Sequence, residues 1–196
     1  MKIVGLLLAA GSATRFGSDK LRHELPHGVA IAVQAARHLK QQIPRVVAVV
    51  RPDSTELIST LKSEGCEVVV CENAAEGMGA SLACAARAAA HLHPGAGGYL
   101  VALGDMPFVR PTTIAAVRDA LAAGAPLAAP YFRGRRGHPV ALSSGFFKDL
   151  LALEGDQGAK KLVTANQQKL VKIPVGDPGA IRDIDRPEDL APPLRI

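Results

Sequence analysis

Five strand-length apolar runs, separated by helix-length segments, most limit what this chain can fold into. The runs are "KIVGLLLA" at the start, "RVVAVV" (45–50), "CEVVVC" (66–71), "GYLVALGD" (98–105) and "APLAAPYF" (125–132). Between them lie "AIAVQAARHLKQQ", "STELISTLKSEG", "SLACAARAAAHLH" and "TTIAAVRDALAAG". The runs lack a clean apolar–polar alternation, which marks strands covered on both faces. Ala-rich segments form helices well, and Gly65 and Gly124 stand where helices end. This rhythm predicts a three-layer α/β, Rossmann-like fold around a mostly parallel sheet with right-handed crossovers.

After residue 132 the rhythm changes. "HPVALSS", two helix-like pieces around "EGDQGAKKLV" and "LVKIPV" read as a smaller excursion over 133–175. The tail "IRDIDRPEDL" reads as a strand end and a short helix. With no repeat, no low-complexity linker and no break, 1–196 is read as one domain.

Composition narrows the function classes. Aromatic residues make up 4% of the chain and Trp is absent, which argues against modules that stack nucleic-acid bases. The formal charge of +5 is scattered apart from "FRGRRGHP", favouring small anionic ligands over a polynucleotide track. Cys66, Cys71 and Cys84 have neither a disulfide-framework nor a zinc spacing, which suits a cytoplasmic protein with free thiols. The apolar start is too short to span a bilayer and runs into a charged loop after Gly11, so it is read as a buried strand rather than a signal peptide.

In open sheets of this kind ligands sit beyond the carboxyl ends of the strands, which sorts the loops. The first is "LLLAAGSATRFGSDK" (6–20). Five residues separate Gly11 from Gly17 and Ser-Asp-Lys follows, so it is neither a Walker A loop nor a G-x-G-x-x-G turn. What remains is a glycine at a strand end, then Arg15 and Lys20, a fork and a point charge suited to a polyphosphate. The same residues also fit a solvated loop. In "VALGDMPFV" (101–109), Asp105 falls where the apolar strand stops. A carboxylate there needs a partner or a metal, and Mg2+ shared with substrate phosphates meets the need; a turn or helix-cap role is the plainer reading. Asp183 and Asp185 alternate with Ile184, so an extended segment turns both to one face. Asp183 is read as a second metal contributor and Asp185 as the cap of "RPEDL".

Six stretches then occur in a telling order: the first loop, "GMGASLACA" (77–85), "LGDMPFV", "GRRGHPV" (134–140), "EGDQGAKKLV" (154–163) and "RDIDRPEDL". From residue 3 to about 190 the chain resembles the MobA-like nucleotidyltransferases, most of all the molybdenum cofactor cytidylyltransferase branch. The resemblance implies a Mg2+-dependent transfer of CMP from CTP to the phosphate of a molybdopterin-type cofactor, with loss of pyrophosphate. It implies that Leu8, Ala9, Ala10 and Gly11 line the base and sugar, that Arg15 and Lys20 grip the triphosphate, and that Gly79 and Ser81 contact the base. It gives Asp105, helped by Asp183, the metal, and gives His138, Gly155, Asp156 and Gly158 the acceptor. Guanylyl-transferring relatives carry "LAGG" where this chain has "LAAG", and the Ala10 Cβ disfavours a tightly placed purine.

"DKLRHELPHG" departs from the usual "DKLLxPL" of relatives, on the acceptor side. GTP as donor, a sugar phosphate as acceptor, and a non-catalytic cofactor carrier are the competing readings. The product would pass to a molybdoenzyme or its chaperone, with no nucleic acid and no membrane involved.

Overall fold

A computed structural model describes residues 1–11 and 20–191 of the chain. The central strands follow the predicted order: β1 (Ile3–Ala9), β2 (Val46–Val50), β3 (Glu67–Val70) and β4 (Gly98–Leu103). They stand side by side as β3-β2-β1-β4, all parallel. Beyond β4 the sheet becomes mixed. β7 (Val140–Ser143) runs antiparallel between β4 and β5 (Leu127–Phe132), the two-residue β6 (Arg135–Arg136) folds back on β5, and β8 (Leu170–Pro174) lies parallel to β5. The eight strands among the described residues form one sheet, so the fold is the expected α/β architecture with a mostly parallel centre.

Alternation along β1 explains the layers. Leu7 and Ala9 face one core with α1 (Ile31–Lys40), α2 (Thr55–Ser63) and α4 (Pro111–Ala122). Val4, Leu6, Leu8 and Ala10 face the other, with α3 (Met78–Leu92), α5 (Phe147–Leu151) and α6 (Gly158–Ala165). Both faces of β1 and β2 are buried, so their sequences are continuously apolar. α1 turns Ile31, Ala32, Ala35, Ala36 and Leu39 to the sheet at helical spacing and ends in Arg37, His38 and Lys40, which suit the negative end of its dipole. α4 opens on Pro111, whose missing N–H costs nothing in a first turn.

The tail departs from expectation. Residues 182–186 join no strand ladder, and short 3-10 turns at Pro178–Ile181 and Pro187–Leu190 flank them. Buried Asp177 holds this stretch, accepting hydrogen bonds from the Arg110 and Gly179 amides and the Thr113 hydroxyl. Backbone contact is close enough that Cβ atoms at Gly137 and Gly179 would strike Ala180 and Phe108. Ile184, fully buried, donates its amide to the Asp105 carbonyl at 2.9 Å. That one bond delivers the tail to the end of β4. No described helix is long and apolar enough to cross a membrane.

Candidate functional site

Across the carboxyl ends of β3, β2, β1 and β4 runs a cleft of about 560 Å3. Its floor follows from the pleat: Leu8 and Ala10 line it, whereas Ala9 turns to the opposite core. Gly11 and Lys20 border the first loop. Residues 12–19, Arg15 among them, lie outside the described residues. α3 supplies Met78 and Ser81, and the chain before it supplies Ala74, Ala75 and Gly77. Asp156 comes from the excursion, and Asp105, Asp183 and Asp185 from the far side.

The acidic corner is the most organised part. With Ile184 plugged into the core, the residues either side of it turn outward beside Asp105. One oxygen from each of Asp105, Asp183 and Asp185 lies within 4.8 Å of the others. Lys20 reaches in from the first loop, its Nζ 3.0 Å from Asp105 Oδ2 and 3.1 Å from Asp185 Oδ1. Burial alone would lower the Lys20 ammonium, but the Asp105 charge and the hydrogen bonds it donates to both aspartates hold it above the usual lysine value. Desolvation and the neighbouring Asp185 and Asp105 charges push the Asp183 carboxyl up. The corner therefore gathers more negative charge than one ammonium balances.

Asp185 is thus not the cap the sequence suggested. Arg186 occupies that position, and Asp189 accepts from the Asp185 and Arg186 amides, leaving the Asp185 carboxylate for Lys20. Three hard oxygen donors facing solvent at one point fit a Mg2+- or Mn2+-type cation, which keeps some waters and shares its shell with phosphate. Asp105, Asp183 and Asp185 would hold it, and Lys20 would then yield part of its carboxylate contact.

The other anticipated residues divide. Ser81 lines the cleft and donates its hydroxyl to the Gly77 carbonyl at 3.3 Å. Gly79, in the first turn of α3, is outside the lining and packs on the excursion, where a Cβ would meet the Glu154 carbonyl oxygen at 2.5 Å. Of the excursion's anticipated residues Asp156 reaches the cleft, whereas Gly155 borders a neighbouring hollow and Gly158 lies against Met78. His138 is apart from the cleft, in a small hollow with His38, Met106 and Ile114. Its Nδ1 is buried with no partner among the described residues, and burial, with Arg136 adding, pushes the ring down to about 4. It stands as a neutral imidazole under the site.

Arg51 was not anticipated. It follows β2 immediately, lines the cleft, and is held by Asp53. The strand-end rule that selected Asp105 would have found it. Gly77 was overlooked too: its φ of +122° and the tight approach of Asp156 Oδ1 mark where α3 meets the excursion.

Residues 5–170 match the MobA-like NTP transferase domain. Over 197 aligned residues the chain is 29% identical to the purine catabolism protein PucB of Bacillus subtilis (strain 168), covering 95% of this chain and 93% of the relative. The crystal structure of Rv0371c from Mycobacterium tuberculosis H37Rv superposes with a TM-score of 0.83 at 27% identity, covering 96% of each chain. The complex of Rv0371c with manganese superposes at 0.79, with 26% identity and the same coverage. A cleft at the strand ends, an acidic corner with its lysine, and a family match over most of the length converge: the chain belongs to the MobA-like NTP transferase family.

Proposed function

We propose that this nucleotidyltransferase moves CMP from CTP to the phosphate of a molybdopterin-type cofactor, with Mg2+, and releases pyrophosphate. The carrying observation is the meeting of Lys20 with Asp105, Asp183 and Asp185 in one cleft beside Gly11. Among its described lining residues that cleft has four carboxylates against two cations, Lys20 and Arg51. A triphosphate entering alone would be repelled; one arriving with a divalent cation would not. That Rv0371c forms a complex with manganese supports a divalent cation as part of the reaction, and the three clustered carboxylates are where this chain could hold one.

The chemistry asks little proton transfer of the protein. A phosphate monoester has a second pKa near ~6 and is mostly dianionic at neutral pH. Its oxygen attacks the α-phosphorus in line, the bond to the β-phosphate's bridging oxygen breaks, and pyrophosphate leaves without a general base. The bound cation supplies charge neutralisation for the phosphates. Lys20, fixed by Asp105 and Asp185 before substrate arrives, is preorganised to stabilise charge growing on the leaving group. Arg15 would add a second cation from the first loop. Leu8, Ala10 and Gly11 form the floor under the nucleoside, and the Ala10 Cβ supports a pyrimidine over a purine. Asp156, with Gly155 and Gly158 shaping its loop, takes the acceptor side, and His138 supports the site from beneath.

Pyrophosphate release with Mg2+, the purified cofactor and each nucleoside triphosphate tests the reading. CTP is expected to give turnover, Asp105→Ala to abolish it, and Lys20→Ala to lower it by ~10²-fold, the scale of one lost electrostatic donor. Preferred use of GTP, or turnover only with a sugar phosphate, would replace the donor or acceptor. Full activity in Asp105→Ala would end the metal assignment.

A further inference from the structure

The cleft has two chemically different ends. At the β4 end stands the acidic corner with Lys20; toward β3 and α3 the walls are mostly small or apolar, with Ala10, Ala74, Ala75 and Met78, and Ser81 and Asp156 add polar groups there. Neighbouring strands are about 4.8 Å apart, so the ends of β2 and β4 are about 10 Å apart, the order of distance a nucleotide spans from its phosphorus to the pairing edge of its base. Phosphates held at the β4 corner therefore place the base near the end of β2, where Arg51 stands.

Asp53 takes one edge of the Arg51 guanidinium, accepting from Nε and Nη2 at 3.1 Å each. A guanidinium carries five N–H donors in a rigid plane. The Asp53 pair leaves both Nη1 hydrogens and the outer Nη2 hydrogen, two of which form a parallel fork. Among the described residues Arg51 hydrogen-bonds only to Asp53, so this fork has no protein partner. Its side chain is 34% exposed, accessible to a ligand yet already oriented.

We infer that Arg51 is a specificity-determining residue that reads the base, its free Nη1/Nη2 edge donating to the adjacent N3 and O2 acceptors of cytosine. The inference rests on the CTP reading above and deepens it. Uracil keeps O2 but carries a proton on N3, so one arm of the fork would face a donor. A mismatched bidentate pair of this kind costs about tenfold to a hundredfold in discrimination. A lysine has the charge without the fork and does not reproduce the match.

The test is steady-state pyrophosphate release with CTP, UTP and GTP by wild type, Arg51→Ala and Arg51→Lys, with nucleotide binding measured by calorimetry in parallel. In wild type, CTP is expected to exceed UTP by at least about tenfold in kcat/KM. In Arg51→Ala that ratio should collapse towards one, the loss falling on KM and on CTP affinity rather than on kcat, and Arg51→Lys should behave like Arg51→Ala. Wild type preferring GTP would overturn the CTP reading and this contact together. Wild type preferring CTP, with the CTP/UTP ratio unchanged in Arg51→Ala, would overturn the contact alone. Equal weakening of all three nucleotides, or full rescue by Arg51→Lys, would show a phosphate-facing charge and overturn base reading.

Discussion

His138 combines burial with an unpartnered nitrogen, and its cost depends on pH. In an unfolded chain a histidine titrates near ~6.5; here burial first, and Arg136 second, hold the ring down to about 4, against the opposing pull of Asp183 and the Val101 backbone. A base whose native pKa is depressed binds its proton more readily when unfolded. Its penalty is absent above about pH 6.5, grows as pH falls, and is complete below about pH 4. The full effect is on the order of 3 kcal/mol, at about 1.4 kcal/mol per unit. His38 is lowered too, again mainly by burial, and works in the same direction. Urea unfolding at pH 7.5, 5.5 and 4.5 should show a steep loss of stability in the wild type and a shallower one in His138→Leu; parallel slopes would remove His138 from the account. This residue also shows where sequence reasoning runs out. Its loop and its Pro139 neighbour were visible, but its burial depends on packing between His38, Met106 and Ile114. Asp185 is a sharper case. A local cap explained it adequately, while its actual partner Lys20 lies 165 positions away. Asp105 was legible because an acid ending a buried strand needs a partner wherever the chain goes next.

Two glycines let the strands and helices be tested with one substitution. Gly79 lies in the first turn of α3, where a Cβ would meet Glu154 O at 2.5 Å, Glu154 C at 2.6 Å and Gly155 O at 2.8 Å. Those neighbours are backbone and yield only by moving the loop that carries Asp156. Gly79→Ala should destabilise by about 1–3 kcal/mol, the usual cost of overpacking, and raise KM for the acceptor. Gly11 ends the run after β1, and a Cβ there meets nothing within 4 Å among the described residues. Gly11→Ala should leave stability nearly unchanged yet raise KM for CTP about tenfold, since a methyl would enter a cleft wall. Denaturation paired with nucleotide titration separates the cases; a destabilised Gly11→Ala with normal CTP binding would contradict the placing of the nucleoside floor. The elements themselves were readable where local pattern decides them. β1 to β5 and α1 to α4 lie within a few residues of their predicted spans because buried parallel strands and Ala-rich helices announce themselves. The insertion of β7 between β4 and β5 was not, since pairing Gly98 with Ser143 is a choice made by topology rather than by either segment. The tail was read as a strand end and is not one. Its alternation is real, but isolated hydrogen bonds, from the Ile184 amide to the Asp105 carbonyl and around Asp177, anchor it instead of a ladder.

Seen over the full sheet, the site joins segments that fold by different routes: the early β1–β4 half supplies Gly11, Arg51 and Asp105, while the tail brings Asp183 and Asp185. Without ligand the tail's acidic pair is held at the corner by Ile184 and the Lys20 contact. A ligand that binds only the assembled cleft must therefore stabilise the entire fold by mass action. At a free concentration of 100 times Kd that amounts to about 2.7 kcal/mol, and for a chain of this size each kcal/mol raises Tm by about 2–4 °C. CTP with Mg2+ should thus raise Tm by roughly 5–10 °C. Because cation and triphosphate meet at the same carboxylates, the shift with both should exceed the sum of the shifts with each alone, and EDTA should abolish the excess. Asp183→Asn should lose that excess while keeping most of its own unliganded Tm, since it removes charge from a corner that already crowds three carboxylates. Additive shifts in the wild type, or an excess that survives in Asp105→Ala, would mean that cation and nucleotide bind at separate places, and the corner would then have no part in holding the triphosphate.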